Sequence, residues 1–352
     1  MILLNDTNMI NLMNLTVKET EDLVTSMGQP GYRAGQINKW VHVKGVSKFE
    51  EMTDLPEDLR TELGSICTPG SLKILTEQRS LDGTAKYLFE LEDGETIESV
   101  FLPHEYGNSV CISTQVGCRM GCGFCASTVG GLVRNLSAGE IYAQVTGIQN
   151  EIGQRVSSIV IMGSGEPMEN LNNVLKFIAI VTSASGLHIG ARHITLSTCG
   201  IVPGIRRLAA LNLQITLSVS LHAPNDELRD SIMPVNRKYS IRELLKACRD
   251  YITMTKRRIT FEYALIQGVN DSQGQAGELI GLLKGMLCHV NLIPLNRVAE
   301  RKYLQSGQGP VRQFKEKLES AGIPVTLRRE KGADIDAACG QLRRRQAGEQ
   351  VD

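Results

Sequence analysis

The sequence predicts an α/β protein built on a partial (β/α)6 barrel, preceded by a small helical module and a β-hairpin extension. Three observations carry this expectation. From about residue 109 to 330, six apolar strand-like runs alternate with amphipathic helical stretches, the pattern of a parallel sheet with crossover helices. Before that, residues 71–108 switch to the alternating period of paired strands, and residues 1–70 read as short helices. Polar and reactive residues recur just after the predicted strands, where a curled parallel sheet gathers its functional loops. A flat doubly wound sheet is the alternative arrangement of the same units.

In chain order, Thr16-Val-Lys-Glu19 has the form of a capping box and opens a first helix. Ala34 to Val43 form an amphipathic segment holding the single tryptophan, Trp40, and Pro56 is placed to start a third helix. Trp40, Phe49 and Leu59 read as core anchors of this module. Tyr87–Leu91 and Thr96–Leu102 then form a hairpin around Asp93-Gly94. On its own, Glu98 in the second strand reads as an exposed carboxylate.

The barrel strands are expected at Val110–Thr114, Ser158–Met162, His193–Ser197, Gln214–Ser218, Arg258–Tyr263 and His289–Ile293. A seventh, Pro324–Arg328, would extend the edge. Ser137-Ala-Gly-Glu140 caps the helix after the first strand, and Gly153 stops it. Later helices begin near Ile241 and Gln273 and span Pro310 to Ala321. Residues 331–352 form a C-terminal loop and basic tail.

At 352 residues with 42% hydrophobic and 22% charged residues, the composition is that of a globular protein. No apolar run is long enough for a membrane span, and the start lacks the layout of a signal peptide, so a cytoplasmic location is expected. Nine cysteines in a reducing compartment are metal ligands, catalytic groups or buried thiols rather than disulfide staples. The formal net charge is zero, so any nucleic-acid partner must be met by local patches: Arg328-Arg329-Glu-Lys331, Arg343–Arg345, Lys256–Arg258 and Arg237-Lys238. Taken singly, each is an ordinary solvated face.

Cys118, Cys122 and Cys125 sit in a C-x3-C-x2-C array. A single zinc ion would need a fourth ligand. A [4Fe-4S] cluster held by three thiolates leaves one iron open to a small molecule, the arrangement that binds and reductively cleaves S-adenosylmethionine (SAM). Further polar residues fall at later strand ends: Gly163-Ser-Gly165-Glu166-Pro, Ser197, Ser220-Leu221-His222 and Asn296. Gly165 lets backbone approach a ligand, Glu166 offers a carboxylate to an ammonium group, and Ser197, Ser220, His222 and Asn296 can bond a ribose or an amino-acid carboxylate. Cys111 lies on the first barrel strand. Cys339 lies in a loop of small and polar residues, where a thiol can be exposed and nucleophilic. Cys67, Cys199, Cys248 and Cys288 read as structural.

The runs Cys111-Ile-Ser-Thr-Gln-Val-Gly-Cys118-Arg-Met-Gly-Cys122-Gly-Phe-Cys125, Met162-Gly-Ser-Gly-Glu166-Pro, Ser220-Leu-His-Ala-Pro, Met233-Pro-Val-Asn236 and Asp334-Ile-Asp-Ala-Ala-Cys339-Gly-Gln-Leu resemble the RlmN/Cfr radical-SAM family. The similarity runs from about Tyr32 to Arg343; Ser164 departs from it, standing where the family usually has methionine. The resemblance implies methylation of an adenine ring carbon with two molecules of SAM. One SAM methylates Cys339. The other, cleaved at the cluster held by Cys118, Cys122 and Cys125, yields a radical that activates that methyl group. A protein–RNA thioether follows, resolved with the help of Cys111 through a transient disulfide with Cys339. By the same resemblance Glu98 is the proton acceptor, and Gly165, Glu166, Ser197, Ser220, Leu221, His222 and Asn296 bind SAM, with Phe124 packed beside it.

The implied substrates are an adenosine of 23S rRNA and the adenosine beside the anticodon of tRNAs, each unstacked to reach the site. The implied electron donor is a flavodoxin or ferredoxin, and a monomer is the default. The resemblance is closer to the branch that modifies carbon 2 than to the Cfr-type branch that modifies carbon 8 and confers antibiotic resistance. A radical-SAM enzyme acting on a small molecule would not need Cys339. A non-enzymatic RNA chaperone would hold zinc at the three clustered cysteines.

Overall fold

The structure, a computed structural model, describes residues 9–296, 298, 301–332, 334–335 and 342–343. Cys339, Arg344 and Arg345 lie outside the described residues.

The N-terminal module starts with β1 (Ile10–Asn11), which pairs in parallel with β2 (Cys67–Thr68). Between them, α1 (Val17–Ser26) begins at the Thr16 capping box, where Thr16 N donates to Glu19 Oε2 at 2.8 Å and Glu19 N returns a bond to Thr16 Oγ1 at 3.3 Å. α2 (Arg33–Asn38) runs into a widened π-helical turn, Lys39–Lys44, and α3 (Glu57–Ile66) follows Pro56. Leu59 is buried, and Trp40 and Phe49 pack half-buried against the core. The module is fused to the rest of the chain rather than tethered. Tyr142 Oη donates to His42 O at 2.7 Å, Lys176 pairs with Glu19 at 2.8 Å, and one continuous apolar core reaches from Leu12 to Ile323.

The extension consists of β3 (Lys73–Arg79), β4 (Ala85–Glu90) and β5 (Thr96–Leu102), all antiparallel. β4 and β5 are the expected hairpin, turning at Gly94 with φ 80°. β3 adds a third strand whose polar run Thr76-Glu-Gln hid it in the sequence. β5 pairs with β6 (Asn108–Cys111), so the extension and the barrel form one sheet.

After β6 comes a short hairpin, β7 (Gln115–Gly117) with β8 (Leu132–Asn135), which the sequence did not disclose. At Gly117, φ is 76° and a Cβ would meet Gly131 O at 2.0 Å, so only glycine closes this hairpin. The units then follow as α4 (Ala138–Ile152), β9 (Val156–Ile161), α5 (Leu171–Thr182), β10 (Ile194–Thr198), α6 (Val202–Ala210), β11 (Thr216–Ser220), α7 (Asp226–Ile232), α8 (Ile241–Thr255), β12 (Ile259–Leu265), α9 (Gln273–Leu283), β13 (Cys288–Pro294), α10 (Gln308–Ser320) and β14 (Val325–Leu327). The sheet order is β14-β13-β12-β11-β10-β9-β6-β5-β4-β3, parallel from β6 to β14. Six βα units with an added edge strand are thus present, as the alternation predicts.

The strand period divides this sheet chemically. Leu196, Leu217, Val219, Phe261, Val290 and Leu292 belong to the apolar core shared with the helices. The alternating residues Thr195, Ser197, Ser218, Ser220, Glu262 and Asn291 point the other way, giving the barrel a polar interior rather than filled apolar layers.

After β14 the chain crosses to the opposite edge of the sheet. Gly332 N donates to Asp82 Oδ2 at 3.1 Å, and Asp334 accepts from the Ser80 hydroxyl and, at 3.0 Å, from Leu81 N. Further on, Arg343 N donates to Glu98 Oε1 at 2.5 Å while Arg343 Nη2 reaches Glu95 at 2.9 Å. Among the described residues no helix is long and apolar enough to cross a membrane.

Candidate active site

A cavity of about 280 Å³ opens at the C-terminal ends of the parallel strands. Cys118, Cys122 and Cys125 line it, together with Gly165, Glu166, Ser197, Ser220, His222 and Asn296. Residues from five separate strand ends therefore meet in one place, the consequence of a parallel sheet delivering every loop to the same end.

The cysteine loop hangs from the β7–β8 hairpin, with Cys118 N bonded to Gly131 O at 2.8 Å and Gly123 N to Ile232 O at 2.8 Å. Burial pushes the Cys118 thiol up to about 12 and moves Cys122 in the same direction; the nearby cysteines and Glu166 add to both shifts. Such thiols hold their protons until a cation replaces them. Among the described residues no three His, Cys, Asp or Glu side chains form a metal-ion group. The donor set is instead three thiols around the rim of a cavity, and it fits an iron–sulfur cluster with one position left for a ligand.

The Glu166 carboxylate is held by protein donors on both oxygens. Oε1 accepts from Thr198 Oγ1 at 2.7 Å and Met168 N at 3.0 Å, and Oε2 accepts from Cys199 N at 2.7 Å. Desolvation raises its pKa against those bonds. With three protein donors on two oxygens, the carboxylate ties the loop after β9 to the end of β10 and keeps acceptor capacity for a further donor.

His222 stands at φ 54° and is buried, with its Nδ1 accepting from Ala264 N at 2.9 Å. The proton of the neutral ring is therefore on Nε2. Burial and then Arg229 lower its pKa to about 3, so the ring is a neutral hydrogen-bond donor. Phe124 packs edge-on against it, centroids 4.9 Å apart, and also lines the cavity. Leu221 is not among the residues lining the cavity: its side chain is fully buried in the apolar core, and its backbone N–H donates to Glu262 O at 3.1 Å while its carbonyl accepts from Arg229 Nε at 3.0 Å. Ser164, the departure from the family pattern, is buried with its hydroxyl 3.1 Å from Ser127 Oγ.

Three residues of the site were hidden in the sequence. Arg229, fully buried, donates to the carbonyls of Cys199 (2.7 Å), Ser220 (3.0 Å) and Leu221 (3.0 Å) and to Asn236 Oδ1 (3.0 Å). It thereby fixes two strand ends and ties them to Asn236 of the Met-Pro-Val-Asn run. Cys199, read as structural, lines the cavity. Glu262 also lines it, accepting from Ser218 Oγ at 3.1 Å and Asn291 Nδ2 at 2.8 Å, with its pKa raised by burial. Its period-two relation to Thr260 and Ala264 was the available signal for the inner face.

Glu98 and Cys111 lie away from this cavity, on the barrel-facing side of the extension and of β6. Cys111 stands opposite Val100 across the β5–β6 pair, two residues from Glu98 on the same face. Glu98 is only 4% exposed, which corrects its reading as a surface carboxylate: it pairs at 2.9 Å with Lys86, whose side chain is 0% exposed. Removing Lys86 takes the cation away from a buried carboxylate, which keeps the Arg343 N–H. Lys86→Met is expected to destabilise the protein by about 3–5 kcal/mol. A Lys86→Met/Glu98→Gln double variant should recover much of the loss in thermal unfolding. A single-variant midpoint equal to the parent's would contradict the burial of this pair.

Residues 112–280 match the radical SAM superfamily, and residues 10–68 match the ribosomal RNA large subunit methyltransferase N-terminal domain. The chain is 56% identical over 342 residues to the probable dual-specificity RNA methyltransferase RlmN of Desulforamulus reducens, covering 97% of this chain and 98% of that protein. It is 58% identical over 338 residues to the protein of the same name from Pelotomaculum thermopropionicum, covering 96% and 92%. The crystal structure of a radical SAM methyltransferase from Sphaerobacter thermophilus superposes with a TM-score of 0.91 at 45% identity, over 94% of this chain and 98% of the other.

Proposed function

The chain belongs to the RlmN family of radical SAM RNA methyltransferases, and from that premise we propose that it methylates carbon 2 of adenosine in 23S rRNA and in tRNA. The observation that carries this reading is the single cavity where three cysteines meet six of the seven residues matched to SAM binding. Cys118, Cys122 and Cys125 would hold a [4Fe-4S] cluster, which when loaded supplies the electron that cleaves SAM. In this reading the neutral Nε2–H of His222, the hydroxyls of Ser197 and Ser220 and the amide of Asn296 bind and orient SAM. Gly165, Glu166 and Leu221 complete the SAM site, with the Glu166 carboxylate tying together the loops that follow β9 and β10.

Below that cavity, Glu98 is the proton acceptor for the substrate adenine, and Cys111 resolves the protein–RNA thioether through a transient disulfide with Cys339. Lys86 holds the Glu98 carboxylate in place for this. The polar barrel interior supports the assignment, because an extruded base needs hydrogen-bonding walls rather than an apolar plug. A monomer working in the cytoplasm with a flavodoxin- or ferredoxin-type donor completes the proposal.

The test is reconstitution with iron and sulfide under anaerobic reducing conditions, followed by methylation of 23S rRNA fragments and tRNA. Mass mapping of the nucleosides is expected to find 2-methyladenosine in both. An 8-methyladenosine product would overturn the carbon-2 assignment, and methylation of rRNA alone would overturn the dual substrate range.

A further inference from the structure

We infer that the end of the barrel where the parallel strands begin, opposite the cysteine loop, is the face that docks RNA, and that His104 and Tyr106 form a stacking platform there for one unpaired base. The proposal rests on the reading of this chain as an RNA methyltransferase and adds where the strand lies.

The first observation is charge. Over the whole chain 38 basic residues balance 38 acidic ones. The segments leading into the parallel strands do not balance. Residues 103–107, 153–155, 191–193, 211–215, 256–258, 284–287 and 321–324 hold Arg155, Arg192, Lys256, Arg257, Arg258 and Lys284 against the single carboxylate of Glu105. Because the strands they precede are parallel, these residues share one end of the sheet. All but Arg257 are exposed. Arg257 turns toward the barrel and donates to Thr216 Oγ1 at 3.3 Å. A rim with six cations to one carboxylate, on a chain with no net charge, is the footprint of a phosphate backbone.

The second observation is an aromatic pair on the same rim, in the turn from β5 to β6. The rings of His104 and Tyr106 stack with centroids 4.8 Å apart and planes within 7°. Tyr106 is nonetheless 83% exposed, so the outer face of the stack is open. Two pre-stacked rings ending in an open π-face suit a nucleobase, and such stacking tolerates any base. Lys331 lies close enough to His104 to lower its basicity, after burial.

The third observation is continuity with the proposed site. Arg328 lines the cavity, and Lys331 follows three residues later, within about 11 Å of extended chain. Next, Gly332 and Asp334 are fixed to the Ser80–Asp82 turn, whose Gly83 lies against Pro103 at the start of the aromatic turn. A base stacked on Tyr106 would therefore sit beside the segment leading toward Cys339, and a neighbouring nucleotide could enter the barrel from this end.

The experiment is fluorescence anisotropy with a labelled tRNA anticodon stem-loop and the reconstituted full-length protein, alongside its methylation rate. Tyr106→Ala is expected to weaken binding from about fivefold to about a hundredfold, and Tyr106→Trp to retain it. Because Tyr106 is exposed, the variant's melting curve should match the parent's. Arg192→Ser/Arg258→Ser should make the slope of log K against log salt shallower by about 1.4. The Arg312→Ser/Lys315→Ser control on α10 should leave it unchanged. Parent-like binding by Tyr106→Ala and an unaltered slope in the arginine variant, with the parent methylating normally, would overturn this face alone. A parent protein that neither binds nor methylates RNA would overturn the functional reading and the docking face with it.

Discussion

Replacing Cys339 by alanine is expected to reduce RNA methylation to background while the protein still binds iron and still cleaves SAM. The proposed chemistry moves the methyl group through the sulfur of this residue, and alanine has no atom to carry it. The carbon at position 2 of adenine is not a nucleophile, so direct transfer from SAM offers no bypass. Cys111→Ala should behave differently. Its thiol lies on the barrel-facing side of β6, in the row that includes Glu98 on β5, and its proposed role comes after the RNA is attached. That variant is expected to accumulate a covalent protein–RNA species, visible as a shifted band in a denaturing gel and removed by nuclease. Full turnover by Cys339→Ala would instead point to a radical enzyme acting on another substrate.

Cys122→Ala is expected to lose everything downstream of the electron. Cys122 is buried behind Met120 and Phe124 in a small apolar cluster that also includes Met233 and Leu295, and no spare thiol on that loop can take its place. The reconstituted parent should be brown, with about four irons per chain, the stoichiometry of the cluster proposed here. The variant should be colourless, form no 5′-deoxyadenosine and methylate no RNA. Its melting curve in the absence of iron should stay near the parent's, because alanine fits the same apolar surroundings with the loss of one sulfur. A colourless parent containing zinc would sink the cluster assignment and revive the chaperone reading.

The fold was legible in the sequence wherever burial imposed a period. The six parallel strands and the helices between them are buried on at least one face, so their apolar spacing survives as a pattern. The Thr16 and Ser137 capping boxes are local, and local hydrogen bonds leave local signatures. What escaped was held by distant partners. β3 is a polar edge strand stabilised by pairing with β4, and the β7–β8 hairpin is only three and four residues long. Glu98 looked exposed because its partner Lys86 lies on the neighbouring strand. Arg229 looked like one more helix charge, since the carbonyls it binds belong to residues 199, 220 and 221. The strand-end residues of the site were readable because parallel topology sends them all to one place.

Two of the attachments of the C-terminal segment to the extension share a property. Gly332 and Arg343 each offer a main-chain N–H to a carboxylate, of Asp82 and Glu98 respectively. Contacts of that kind recognise the path of a chain and are indifferent to its side groups. Proline is the residue that deletes the donor itself, while the left-handed backbone at Gly332, φ 64°, and the Arg343 side-chain bond to Glu95 restrain the side groups for separate reasons. In the main-chain bonds themselves, the side chains that matter are the acidic partners, Asp82 and Glu98, where a change of one atom is felt.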